Sequence, residues 1–196
     1  MSIKTGWQEF SQVITSACED LDINELTVLK DNLICALFRK NTIFIFGNGG
    51  SGTLASHFAH DLNKGVIDPL HEVSFRAISL SNNISEILAR GNDDGFETIF
   101  GGQIKNLAIK DDIAIGISVS GESKNILDAM YIAKEMGLIT VGLTGIGENS
   151  LSKLVDFPVH ISSNSCAVVE PIHDLILHWL ISSISLDLVY LRRIDR

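Results

Sequence analysis

His57 and Asp61 stand four residues apart in "GTLASHFAHDL", and His178 closes the stretch "EPIHDLILH", which opens on Glu170. Residues four apart on a helix share one face, with Cβ atoms about 5–6 Å apart. An imidazole and a carboxylate so placed are half of a divalent-metal site, or a base with the partner that orients it. The same pair also occurs on solvated helix faces, where it does neither. His60 falls on another face. In the second stretch Pro171 suits the first position of a helix, which leaves Glu170 at or just before the cap. His178 then lies on nearly the same face, about 12 Å along the axis. The two meet only if each reaches toward the other, and the lean of side chains toward the helix N-terminus helps His178. His173 and Asp174 add polarity to an otherwise very apolar helix. His178, between Leu177 and Trp179, is costly to bury without a partner.

Two turns have the chemistry of anion sites. "GNGGSG", residues 47–52, follows an apolar run and precedes a helical pattern. Its glycines allow positive φ and close backbone approach, and Ser51 sits where a helix cap would. The spacing is neither GxGxxG nor a Walker loop, and a glycine-rich strand-to-helix turn also occurs with no ligand at all. "SVSGES", residues 118–123, gathers the hydroxyls of Ser118, Ser120 and Ser123 around Gly121, again before a helix. Hydroxyls and free N–H groups at a helix start suit a phosphate monoester. One such turn is also an ordinary serine cap; two at strand ends favour a phosphorylated small molecule with a neutral polar tail. "GNDDGFETIF", from Gly91, offers Asn92, Asp93 and Asp94 but is equally a plain turn signal.

The elements that must position these residues follow from hydrophobic periodicity. Helical patterns at 7–21 and 24–40 predict an N-terminal hairpin occupying residues 1–40. From residue 41 to 196 short apolar runs alternate with helical stretches. Strands are expected at 42–46, 75–80, 112–117, 139–143 and 156–161, the last carrying Pro158 and therefore an edge. Helices are expected at 51–63, 96–108, 123–136 and from Pro171 to about Tyr190. Near-continuous apolar strands separated by helices predict an α/β three-layer αβα sandwich on a parallel sheet. Ligands in such sheets bind beyond the carboxyl ends of the strands.

The chain has 196 residues, 45% hydrophobic and 20% charged, which suits one domain with a full core or one domain plus a helical arm. A net charge of -9 disfavours a nucleic-acid partner. Cys18, Cys35 and Cys166 are widely spaced and form no metal or disulfide pattern, so they read as buried cytoplasmic thiols. The first residues, "MSIKTGWQEF", do not read as a secretory signal. "LILHWLISSISLDLVYL", from Leu175, is interrupted by His178 and Asp187 and reads as a buried or subunit-packing helix rather than a membrane span.

Together, "FGNGGSGTLASHFAHDL", "GNDDGFETIF", "GISVSGESKNIL" and "EPIHDLILH" resemble the sugar-isomerase (SIS) family and, within it, the phosphoheptose isomerases. The similarity covers nearly the whole chain. It implies a five-stranded flavodoxin-like sheet, a homotetramer with active sites between subunits, and no membrane or nucleic-acid partner. The implied reaction interconverts sedoheptulose 7-phosphate and D-glycero-D-manno-heptose 7-phosphate, feeding heptose into surface polysaccharide. Asn48, Gly49, Gly50 and Ser51 would then contact substrate, Ser118, Val119, Ser120 and Ser123 would hold its phosphate, and Asn92 and Asp93 would touch the sugar. His57, Asp61, Glu170 and His178 would bind zinc, with Asp61 or Glu170 as base and His178 as the second catalytic group.

Four positions depart from the family's pattern. Asp61 replaces a glutamate and is one methylene shorter, about 1.5 Å, a displacement that at a reacting centre costs on the order of a hundredfold in rate. Glu170 replaces a glutamine, which should tighten a divalent cation and repel an anionic intermediate. Leu54 stands for an aspartate and Glu122 for an asparagine. Some SIS proteins similar to phosphoheptose isomerase are non-catalytic and bind a replication initiator, and others isomerise a different sugar phosphate. These are the alternative readings.

Overall fold

A computed structural model of the chain describes residues 3–68, 73–145 and 147–194. The outermost residues of the two expected segments, 1–2 and 195–196, lie outside the described residues. Helices α1 (Ile3–Glu19) and α2 (Ile23–Arg39) form the expected hairpin. Asp22 caps α2 by accepting a hydrogen bond from Asn24 N at 2.8 Å.

The chain then runs through β1 (Thr42–Gly47), α3 (Gly49–Gly65), the short strands β2 (Ile67–Asp68) and β3 (Val73–Ser74), and β4 (Arg76–Ser79). α4 (Ile84–Asp93), α5 (Gly101–Leu107), β5 (Ile113–Ser118) and α6 (Lys124–Glu135) follow. β6 (Ile139–Thr144), α7 (Ser150–Leu154), β7 (Phe157–His160) and α8 (Cys166–Ile194) complete the chain.

Five strands form one sheet in the order β4-β1-β5-β6-β7, and every pairing is parallel. This is the doubly wound flavodoxin-like order, in which the first strand lies between the second and third. All five expected strands are present. β1 and β5 are buried throughout, as strands covered on both faces must be. β7, with Pro158, is an edge.

Alternation along β1 divides the interior into two layers. Ile43 and Ile45 face a core built with Leu29, Leu33, Phe58, Leu62, Ile176 and Leu180, which belong to α2, α3 and α8. Phe44 and Phe46 face Phe100, Ile104, Ile126 and Met130 from the side of α5 and α6. The N-terminal hairpin is therefore part of the first layer rather than a separate body, with Ala17, Leu26 and Leu37 in the same core.

Three features differ from the sequence expectation. The helix expected at 96–108 is a 3-10 turn at Phe96–Thr98 followed by the shorter α5 (Gly101–Leu107). Residues 84–93 are helical, so the Asn92–Asp93 pair ends a helix instead of opening a loop. α8 begins at Cys166, not at Pro171, because Val168 N and Val169 N donate to Ser165 O and start the helix one turn earlier. Pro171 falls inside it, where its missing N–H leaves the carbonyl of Ala167 without a helical donor. Ala167 is exposed, which leaves that carbonyl open to solvent at the start of the helix. α8 is long and apolar enough to cross a membrane by length and composition. One face of it, through Val169, Ile172, Ile176, Leu180 and Ile184, is instead the core of this fold.

The sheet is tied at its amino end by Asp112, whose side chain is buried. Its carboxylate accepts from Thr42 N at 2.7 Å and Ile109 N at 2.9 Å, joining the start of β1 to the turn before β5. Asp112→Ala would orphan both donors. Urea denaturation is expected to show a loss of about 2–4 kcal/mol, with Asp112→Asn losing less because one acceptor oxygen remains.

Candidate functional site

β1 and β5 are neighbours whose connections leave in opposite directions, so a crevice opens beyond their carboxyl ends. The two turns singled out in the sequence meet there. Asn48 and Asn125 are hydrogen-bonded reciprocally, Asn48 Nδ2 to Asn125 Oδ1 at 2.9 Å and Asn125 Nδ2 to Asn48 Oδ1 at 2.7 Å. This amide pair fastens the glycine turn to the first turn of α6.

The serine turn is shaped for oxygen ligands. Ser118 Oγ donates to Ser123 Oγ at 3.3 Å and accepts from Gly121 N at 3.1 Å, and Ser120 Oγ accepts from Glu122 N at 3.2 Å. Gly121 has φ +65°, and a Cβ there would fall 2.0 Å from Asn149 Oδ1, so only glycine fits. Glu122 accepts from Ser150 N and Ser150 Oγ, each at 2.8 Å. Those two bonds hold its carboxyl below the usual range. Its replacement of an asparagine thus ties the serine turn to α7. Ser118, Val119, Ser120 and Ser123 line a cavity of about 250 Å³ together with Asn48, Ser51 and Glu170.

Beside it lies a second cavity of about 440 Å³, which shares Ser51 and Glu170 and adds Gly50, His57, His173 and Asp174. The Glu170 carboxylate oxygens lie 3.5 Å from the position a Cβ on Gly50 would take, at the amino end of α3. A carboxylate is favoured there by the helix dipole.

At the far end of this cavity α3 and α8 bring four polar side chains together. His57 Nε2 is 3.4 Å from Asp61 Oδ2, and His178 Nδ1 is 3.7 Å from the same oxygen. The opposite ring nitrogens face Asp174 Oδ1, His57 Nδ1 at 3.9 Å and His178 Nε2 at 3.7 Å. The two rings meet edge to face with centroids 5.0 Å apart. Leu54, Phe58 and Leu177 pack around Asp61 and His178. Leu54 is thus part of an apolar wall.

The comparisons with known proteins bear on the family and the fold. A SIS domain model matches residues 7–145. The chain belongs to the SIS domain family. It is 34% identical over 180 residues to phosphoheptose isomerase 1 of Campylobacter jejuni, covering 91% of this chain and 94% of that one. It is 38% identical over 152 residues to the phosphoheptose isomerase of Trichlorobacter lovleyi, covering 78% and 76%. The solved phosphoheptose isomerase of Francisella tularensis superposes with a TM-score of 0.85 at 27% identity, covering 94% and 96%.

Within this SIS fold, the crevice and its two cavities hold Asn48, Gly50, Ser51, His57, Glu170 and the serine turn, with Asp61 and His178 directly behind His57. Gly49 and Asn48 also line a third cavity, of about 340 Å³, on the side of Ser81 and Asn82. Asn92 and Asp93 are exposed at the end of α4, with Asn92 Nδ2 donating to Asp93 Oδ1 at 2.7 Å, and they line none of these three cavities.

Asp174 is the residue that sequence reasoning left among general polarity. The signal was its spacing, since Glu170, Asp174 and His178 follow one another at four-residue intervals along one helical stripe. His173 is fully buried. Its Nε2 lies 3.3 Å from Thr144 O and donates to it, while Nδ1 finds no partner among the described residues. Burial pulls its pKa from 6.5 to about 4, so it is a neutral acceptor behind the second cavity.

Gly121→Ala is expected to distort the serine turn and to lower thermal stability by more than the ~1 kcal/mol of an ordinary glycine replacement. Calorimetric titration should show weaker binding of a sugar phosphate than to the wild-type chain.

Proposed function

We propose that the chain is a phosphoheptose isomerase, interconverting sedoheptulose 7-phosphate and D-glycero-D-manno-heptose 7-phosphate. The observation that carries this reading is the meeting of Asp61 and His178, from helices distant in sequence, at 3.7 Å beside a cavity that leads to the serine turn. The full-length likeness to proteins of that name supports it.

The residues divide the work. Ser118, Ser120 and Ser123, with the N–H groups at the start of α6, bind the phosphate and anchor the unreactive end of the sugar. Asn48, Gly49, Gly50 and Ser51 orient the chain of hydroxyls, and Asn92 with Asp93 completes the sugar contacts when subunits assemble. At the reacting end Asp61 or Glu170 takes a proton from the carbon next to the carbonyl. The electron pair left on that carbon forms the enediolate double bond as the carbonyl oxygen gains negative charge. The same carboxyl returns the proton to the neighbouring carbon, and His178 carries the hydroxyl proton from one oxygen to the other.

Two imidazoles beside carboxylates are a donor set of the kind zinc takes. His57, Asp61, Glu170 and His178 are the residues that would hold it. A zinc ion bound there supplies Lewis-acid polarisation of the carbonyl.

The exposed apolar side chains Trp7, Phe10 and Val13 on α1 and Trp179, Leu186 and Tyr190 on α8 support a homotetramer packed through these helices. Three free cysteines, of which Cys35 and Cys166 are exposed rather than buried as expected, support a cytoplasmic location.

Purified protein supplied with sedoheptulose 7-phosphate is expected to form the aldose phosphate. His178→Ala should lower kcat by about 10²–10⁴-fold with little change in KM. A well-folded wild-type chain that forms no aldose phosphate, with or without added zinc, would overturn the reading. Light scattering coupled to size exclusion should give four times the chain mass, and Trp7→Glu should lower it; a monomer at micromolar concentration would remove the tetramer.

A further inference from the structure

We infer that Asp174 is the carboxylate that completes the metal site with His57 and His178, and that Asp61 stands behind the rings as their orienting partner. This rests on the proposed metal dependence and changes which residues carry it.

Among the described residues, the group whose donor atoms all lie within 4.8 Å of one another is His57, Asp174 and His178. Each histidine has two ring nitrogens, and the two aspartates divide them. Asp174 faces His57 Nδ1 and His178 Nε2 at 3.9 and 3.7 Å. Asp61 faces His57 Nε2 and His178 Nδ1 at 3.4 and 3.7 Å. All four separations exceed a hydrogen bond. All four lie within about 0.6 Å of the ~3.3 Å edge of a tetrahedron with zinc–ligand bonds of about 2.0–2.1 Å, so distance alone does not choose between the aspartates.

A ring nitrogen that binds a metal leaves the other as a donor, and that donor is ordinarily held by a carboxylate. The arrangement can therefore be occupied on one side only, with the second aspartate holding the N–H groups. Surroundings choose the side. Asp174 and His57 line the second cavity with Glu170, and the Asp174 side chain is about half exposed. Asp61 does not line that cavity; it lies with Leu54, Phe58 and Leu177 in the closed space that Asp174 also borders, and its side chain is three-quarters buried. A cation on the Asp174 side meets substrate, whereas one on the Asp61 side lies away from the second cavity. Asp61 is then left to hold the backs of both rings. Glu170 then remains the carboxylate at the junction of the two cavities, free to take the substrate proton.

The test uses cobalt(II) in place of zinc on the full chain stripped with a chelator. Wild-type protein should bind cobalt and show its visible ligand-field bands. Asp174→Cys should add a thiolate-to-cobalt charge-transfer band, and Asp61→Cys should bind cobalt without one. Asp174→Asn, which keeps size and removes charge, should weaken cobalt binding at least tenfold in calorimetry. A charge-transfer band from Asp61→Cys, alone or alongside one from Asp174→Cys, overturns the assignment while leaving metal dependence intact. Unchanged cobalt affinity in Asp174→Asn also overturns it. Wild-type protein that binds neither cobalt nor zinc removes the metal and this inference together, without touching the isomerase assay.

Discussion

The packing of α8 against α3 is the constraint on which the site depends. His57 and Asp61 belong to one helix and Asp174 and His178 to the other, and nothing local in either segment brings them together. What does so is apolar: Phe58 and Leu62 of α3 and Ile176, Leu177 and Leu180 of α8 share one core beneath the sheet. A slip of one residue along α8 would turn His178 by about 100° and point it away from Asp61. The same slip would move Ile176 and Leu180 out of the core, with a cost of several kcal/mol from lost burial. The register of the Asp61–His178 pair is thus enforced by apolar residues outside it.

Pro171 has a related effect at the other end of the site. It interrupts the hydrogen-bond ladder of α8 one turn after the helix starts, near the carboxylate of Glu170 and the amino end of α3. An unbroken ladder would commit the carbonyl of Ala167 to the helix; the proline frees it on the cavity side. The amide pair Asn48–Asn125 performs the matching task across the crevice by fixing the glycine turn to α6. Both devices order the strand-end loops, where a doubly wound sheet places its ligands.

The strands were legible because buried parallel strands are continuous apolar runs, and "TIFIF" or "DIAIGI" admits few other readings. The edge position of β7 was legible from Pro158 alone. The start of α8 was not, because proline is both a preferred first residue and tolerable a turn later, and the difference is decided by Ser165, whose carbonyl accepts from Val168 N and Val169 N. Asn92 and Asp93 carried a turn signature that the helix from Ile84 overrode, with Asn83 as its cap. Of the site, the residue types at 57, 61, 118, 120, 123, 170 and 178 could be read along the chain. Which ring nitrogen faces which aspartate could not, since that follows from how two helices distant in sequence pack.

The charges around the crevice are unbalanced. Asp61 and Asp174 flank the two histidines at one end of the second cavity and Glu170 stands at the other, while among the described residues neither lysine nor arginine lines any of the three cavities. An enediolate generated between these carboxylates would be destabilised by them, and hydrogen bonds from two histidines offer limited relief. The serine turn offers hydroxyls and a helix start, with no cationic side chain among the described residues that line it. A neutral set of side chains could in principle leave catalysis to hydrogen bonding alone. Carboxylates on both helices beside two imidazoles make this site net acidic, and a divalent ion bound there would offset that repulsion.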